Sequence, residues 1–171
     1  MSPAATPLAR IPVGVVIERH KASSPWIDFT WRAVGVLDGV PDAAPWTVLR
    51  DAGDVTTFYG GAADIELYRS ETAHYRDNLA TGAPGLWVIM SPTDADPPYK
   101  ILTVTADSSE GEGLTESAVN VVEQVPMPVQ IVEIVQQFVA EHHVEREFIK
   151  RTRDRLDPES LSRRGYGDHD E

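Results

Sequence analysis

The chain has 171 residues, a formal net charge of −12 and no cysteine. With 42% apolar and 25% charged residues it has the composition of a globular domain, which excludes a wholly disordered, collagen-like or coiled-coil chain. The missing thiols exclude disulfides, thiolate zinc sites, cysteine-bound iron–sulfur clusters and a cysteine nucleophile.

An acidic surface repels phosphate backbones, so no nucleic-acid partner is expected. No run approaches the roughly 18 apolar residues a membrane-spanning helix needs, so no membrane partner is expected either. The first residues lack the apolar stretch of a secretory signal, and the expected compartment is the cytoplasm. The charge is uneven: residues 1–149 carry all of it, while Lys150, Arg151, Arg153 and Arg155 form a short basic cluster.

Residues 1–10 read as a disordered lead. Residues 8–21 place Val13, Val15 and Ile17 at period two, the spacing of a half-buried strand. Ser23, Ser24 and Pro25 make a turn. Over residues 26–37, Ile27, Phe29, Trp31 and Ala33 share one face, and Asp28, Thr30 and Arg32 the other. Asp38-Gly39 and Pro41 break this strand. Residues 46–50 and 55–59 form a hairpin about Gly53-Asp54, and Gly60-Gly61 reads as the turn that closes it. Ala63, Ile65 and Leu67 then alternate with Asp64, Glu66 and Tyr68 in another strand. Ser70 is placed to cap a short helix through Ala73, Tyr75 and Leu79, which stops at Gly82 and Pro84.

Residues 86–90 are continuously apolar, as in a central strand, and residues 99–106 alternate. Residues 108–113 read as a polar acidic loop. Residues 120–125 are a last strand or the end of a short helix from Leu114. From Val129 to about Arg155 there is neither glycine nor proline, and Pro128 suits a first helical turn. Ile131, Ile134, Val135, Phe138, His142, Glu145 and Ile149 lie on one stripe of that helix. The expected fold is α+β, mostly β: an antiparallel sheet, sandwich or partly open barrel of about seven strands, with one short helix and a long C-terminal helix. Residues 11–140 form the domain, with the apolar half of the helix docked on it. Residues 141–155 project as a charged helix end, and residues 156–171 form a flexible tail.

No catalytic constellation emerges. There is no G-x-S-x-G elbow and no phosphate-binding glycine fingerprint. Glu66 with Glu71, and Asp94 with Asp96, are carboxylate pairs that read as surface acids. His143 and Glu147 are i, i+4 neighbours on a helix, but two ligands fall short of the four of a structural zinc site, so neither metal nor other cofactor is expected. Trp31 and Trp87 sit in apolar patterns and are expected in the core. Trp26 and Trp46 each follow a proline at a strand start and are candidate interface aromatics. Glu18, His74 and Tyr75 are the candidate lining of a pocket, should the domain have one. At the helix end, His142, His143, Glu145, Phe148, Lys150 and Arg151 are the candidate partner contact: an apolar anchor within a polar rim.

The ordered set Val15-Val16-Ile17-Glu18-Arg19-His20, Pro25-Trp26, Ala44-Pro45-Trp46, Phe58-Tyr59-Gly60-Gly61, Glu66-Leu67-Tyr68-Arg69-Ser70-Glu71-Thr72 and Phe138-Val139-Ala140-Glu141-His142-His143 resembles a family of uncharacterised proteobacterial proteins, a domain of unknown function. Genes of that family are often found beside those of molybdenum-dependent formate dehydrogenases. The resemblance covers residues 11–155. It implies a cytoplasmic, non-catalytic accessory protein that assists assembly or cofactor delivery, with a formate dehydrogenase subunit or maturation factor as its partner. The alternative is a small enzyme acting on a cofactor precursor or other small molecule in an open-ended barrel.

Overall fold

Seven antiparallel strands form two sheets in the computed structural model, which describes residues 5–115 and 119–144. The strands are β1 (Ala9–Lys21), β2 (Phe29–Asp38), β3 (Thr47–Asp51), β4 (Val55–Leu67), β5 (Gly85–Pro92), β6 (Tyr99–Thr105) and β7 (Val121–Pro126). The first sheet has the order β2-β1-β4-β3 and the second β6-β5-β7. The expected mostly-β architecture holds, and neither sheet closes into a barrel.

The inner faces follow the alternation in the sequence. On β1, Ile11, Val13, Val15 and Ile17 are buried. Opposite them, Leu86, Val88 and Met90 of β5 and Val104 of β6 complete the same apolar cluster. β1 pairs with β4 along almost its whole length. Here the reading of Gly60-Gly61 as a turn fails. Both residues lie inside β4, one 13-residue strand that joins the two short ones expected. The register slips at Val15/Val16 opposite Gly61 and Tyr59, which makes the pair a β-bulge, a device that bends a strand without ending it. The side chain of Ile17 lies against Gly60, where a Cβ would sit 2.5 Å from its Cγ1. Gly61 has φ +137°, open to glycine.

Three helices pack at one end of the sandwich: α1 (Thr72–Ala80), α2 (Ser108–Thr115) and α3 (Val129–His142). A 3-10 turn, Arg69–Glu71, leads into α1, and Ser70 makes no capping hydrogen bond there. The acidic segment expected to be a loop is α2. Its start is fixed by Asp107, whose Oδ1 accepts a hydrogen bond from the Ser109 N–H at 2.9 Å. Gly111 lets α2 lie on Trp87, because a Cβ there would collide with the indole. Trp87 and Trp31, both expected in the core, are half-buried.

Ile131, Val135 and Phe138 of α3 enter the core cluster, as the stripe requires. The uninterrupted helix to Arg155 is not formed, since His143 has ψ 112° and its N–H bonds the Val139 carbonyl in the closing turn. Residues 145–171, with the rest of the expected projection and tail, lie outside the described residues. Among the described residues no helix is long and apolar enough to cross a membrane.

Candidate functional site

The two ends of the sandwich differ in chemistry. Opposite the helices, β1 runs out past Arg19 to Lys21, β2 begins at Phe29, β4 begins at Val55 and β6 at Tyr99. Their inward positions at that end are aromatic. The Trp31 ring lies 5.8 Å from both Trp46 and Phe58, 6.3 Å from Tyr99 and 6.4 Å from Phe29. The Arg19 guanidinium sits over this group, 4.3 Å from the Phe29 centroid and 5.4 Å from that of Phe58, where cation–π attraction holds it. It also donates to Thr56 Oγ1 at 3.3 Å. In the β1–β2 turn beside this end, Trp26 is 90% exposed and Ile27 53%.

The helical end carries a cleft of about 450 Å³, lined by Tyr68, Ser70, Glu71, His74, Asp107, Ser109 and Glu110 together with Ala5. Three elements meet there: the 3-10 turn supplies Glu71, the first turn of α1 supplies His74, and the β6–α2 junction supplies Asp107. His74 Nδ1 lies 2.8 Å from Glu71 Oε2 and 3.1 Å from Asp107 Oδ1. Hydrogen-bonding contact with the Asp107 carboxylate raises the imidazole pKa above its usual value; burial opposes the shift, and the charges of Asp107 and Glu71 add to it. Asp107 is buried; besides the Ser109 bond, its own N–H donates to Thr105 Oγ1, and Thr105 Oγ1 donates to Glu110 Oε2. Tyr68 donates its hydroxyl to Glu66, which raises the Tyr68 pKa.

The three candidate pocket residues do not converge. Glu18 pairs with His20 Nε2 on β1 at 2.9 Å. Tyr75 is a core residue whose hydroxyl accepts the Tyr68 N–H at 3.0 Å, and burial pushes its pKa to about 12. Only His74 lines the cleft. Of the candidate interface aromatics, Trp26 is fully presented. Trp46, at φ 69°, is half-buried against Trp31 and Phe58. At the C-terminal end, His143 bonds Thr72 Oγ1 through Nδ1 and Arg76 Nη1 through Nε2, each at 3.0 Å. The His142 ring lies tilted against Phe138, centroids 4.6 Å apart. Both histidines thus contact the chain's own helices. Glu145, Phe148, Lys150 and Arg151 lie outside the described residues.

Sequence reasoning passed over Asp107 and Asn78 and read Glu71 as a surface acid. Asn78, in α1, donates to the carbonyls of Gly85 at 2.8 Å and Ala106 at 3.1 Å, and accepts the Gly85 N–H at 3.0 Å. It locks α1 to both ends of the β5–β6 unit and so fixes His74 against Asp107. The sequence signal for Asp107 was present: an aspartate two residues ahead of a backbone donor is a helix-cap pattern.

The chain belongs to the family described as a protein of unknown function (DUF3305), whose model matches residues 12–152. No curated protein and no solved structure matches it.

Proposed function

We propose that the protein is a non-catalytic, cytoplasmic binding protein that assists the assembly or cofactor delivery of a molybdenum-dependent formate dehydrogenase. The observation that carries the binding role is the aromatic end of the sandwich. Trp26, Ile27 and Phe29 are exposed in one stretch, beside a guanidinium held on aromatic rings. Tryptophan, tyrosine and arginine are the residues that dominate binding energy at protein interfaces. An indole that is 90% exposed contributes almost nothing to its own fold and is free to meet a partner. The choice of partner rests on the family resemblance and its gene neighbourhood. His142, His143, Glu145, Phe148, Lys150 and Arg151 supply a second contact, in which Phe148 is the anchor and Lys150 and Arg151 belong to the polar rim.

The test is affinity capture of the tagged full chain from cells making the dehydrogenase, with Trp26→Ala and a chain ending at Val144 as variants. The expected result is recovery of a dehydrogenase subunit or maturation factor. Each variant should reduce that recovery while keeping its melting temperature. If neither protein is recovered with the wild type, the partner is wrong. If Trp26→Ala captures as much as wild type, the aromatic end is not the docking surface.

A further inference from the structure

Among the described residues, one constellation has metal-ligand chemistry: Glu71, His74 and Asp107, whose ligand atoms lie within 4.8 Å of one another. We propose that these three residues bind a divalent first-row transition-metal ion at the floor of the helical-end cleft. This inference is independent of the docking role assigned to the aromatic end.

Three observations carry it. First, His74 Nδ1 is sealed from solvent and satisfied by no well-directed hydrogen bond. The two carboxylate oxygens are near enough to accept one, yet stand off the direction in which a ring N–H points. Buried polar atoms are nearly always satisfied, and a cation among the three groups would satisfy this nitrogen more fully than the two off-line carboxylates do. Second, the spacing is that of ligands about a shared ion. Metal–nitrogen and metal–oxygen bonds of about 2.1 Å place neighbouring ligand atoms roughly 3.0 Å apart at right angles, and roughly 3.4 Å apart in a tetrahedron. The observed separations are 2.8 and 3.1 Å. In such a set the oxygens flank the nitrogen lone pair instead of facing it, as here. Third, the donors are anchored. Asp107 Oδ1 is fixed by the Ser109 N–H, and His74 is carried on a helix pinned by Asn78. Held ligands lose little freedom when an ion binds.

One imidazole with two carboxylates suits zinc or manganese, and excludes the ions that demand thiolates. Three protein ligands leave positions open, and these face the cleft between Tyr68, Ser70 and Glu110. That is the layout of sites that keep water or a small oxygen donor on the ion, in contrast to closed structural sites. The sequence reading missed the set because it looked for ligands along one helix. The third ligand comes from a strand–helix junction more than thirty positions later in the chain.

The test is calorimetric titration of the full chain, stripped with chelator, with zinc and separately with manganese. One ion should bind per chain. His74→Ala, Glu71→Gln and Asp107→Asn should each weaken binding on the order of tenfold or more. Asn caps α2 as well as Asp does, so the last variant removes the charge and keeps the helix start. His20→Ala, at the far end of β1 where the ring pairs with Glu18, should bind as wild type does. The metal-free variants should melt close to wild type, and Glu71→Gln, a change of equal shape at a partly exposed side chain, keeps the test readable if another fails to fold. No saturable binding at millimolar metal overturns the proposal, as does binding that all three ligand variants retain. Loss in His20→Ala instead would move the ion to the Glu18–His20 pair and overturn it equally.

Discussion

At the scale of single residues, buried polar groups decide which helices stay where. Asn78 is 5% exposed and spends both amide donors and its carbonyl on backbone groups of two other segments. Asn78→Ala removes all three partners at once and leaves the Gly85 N–H and two carbonyls without theirs. An orphaned buried group costs about 1–3 kcal/mol, so the variant should lose roughly 3 kcal/mol or more in urea unfolding. A loss below about 1 kcal/mol would mean that water replaces the side chain there. None of this was legible beforehand, because an asparagine in a short polar helix carries no mark of its partners. The same holds for Gly60 and Gly111. As letters they read as turn and loop; in space they are the places where Ile17 and Trp87 press against backbone.

At the scale of elements, periodicity located nearly everything and misjudged boundaries. The inward positions of β1, the continuous apolar run of β5 and the apolar stripe of α3 were all readable, because burial imposes a period on the residues that face it. Two errors share a cause. β4 was split at its glycines and α2 was read as a loop because glycine and acidic residues weigh against regular structure locally, while strand pairing along β1 and the Asp107 cap outweigh them here. Of the C-terminal helix, the apolar half packs into the core as its stripe requires, and among the described residues α3 closes where His143 leaves it to bond Thr72 and Arg76 of α1. Phe138 shows how firmly that half is held. It is 5% exposed, meets Tyr75 edge-on at 6.1 Å and lies 4.6 Å from the His142 ring. Phe138→Ala should cost about 3–5 kcal/mol, transfer and cavity together. Calorimetric unfolding checks it, and an unchanged thermal midpoint would show that α3 is not docked on the sandwich.

At the scale of the whole molecule, the sandwich is closed at one end by helices and at the other by aromatic rings, and the candidate site depended on that closure. His74 was nominated from sequence, but its companions Glu71 and Asp107 meet it only because α1 and the start of α2 are drawn onto the same end. Tyr75 stands at the centre of that helical plug, 1% exposed, and this ties the stability of the molecule to pH. In the unfolded chain its phenol loses its proton near pH 10.0, whereas in the folded chain burial holds it to about 12. Above pH 10.0 the unfolded state therefore binds fewer protons than the native state, so stability falls as pH rises through this window. The contribution is fully present below the unfolded value and lost progressively as the folded one is approached. Each tenfold difference in proton affinity between the two states corresponds to about 1.4 kcal/mol, so the loss by the upper end of the window should be roughly 2–3 kcal/mol. Tyr68, raised by its bond to Glu66, acts in the same direction. The measurement is the urea midpoint of wild type and Tyr75→Phe across the alkaline range. Tyr75→Phe should start less stable, because the Tyr68 N–H loses its acceptor, and should then decline less steeply. Parallel declines would show that Tyr75 ionises as an exposed phenol does, and that the helical plug admits water at its centre.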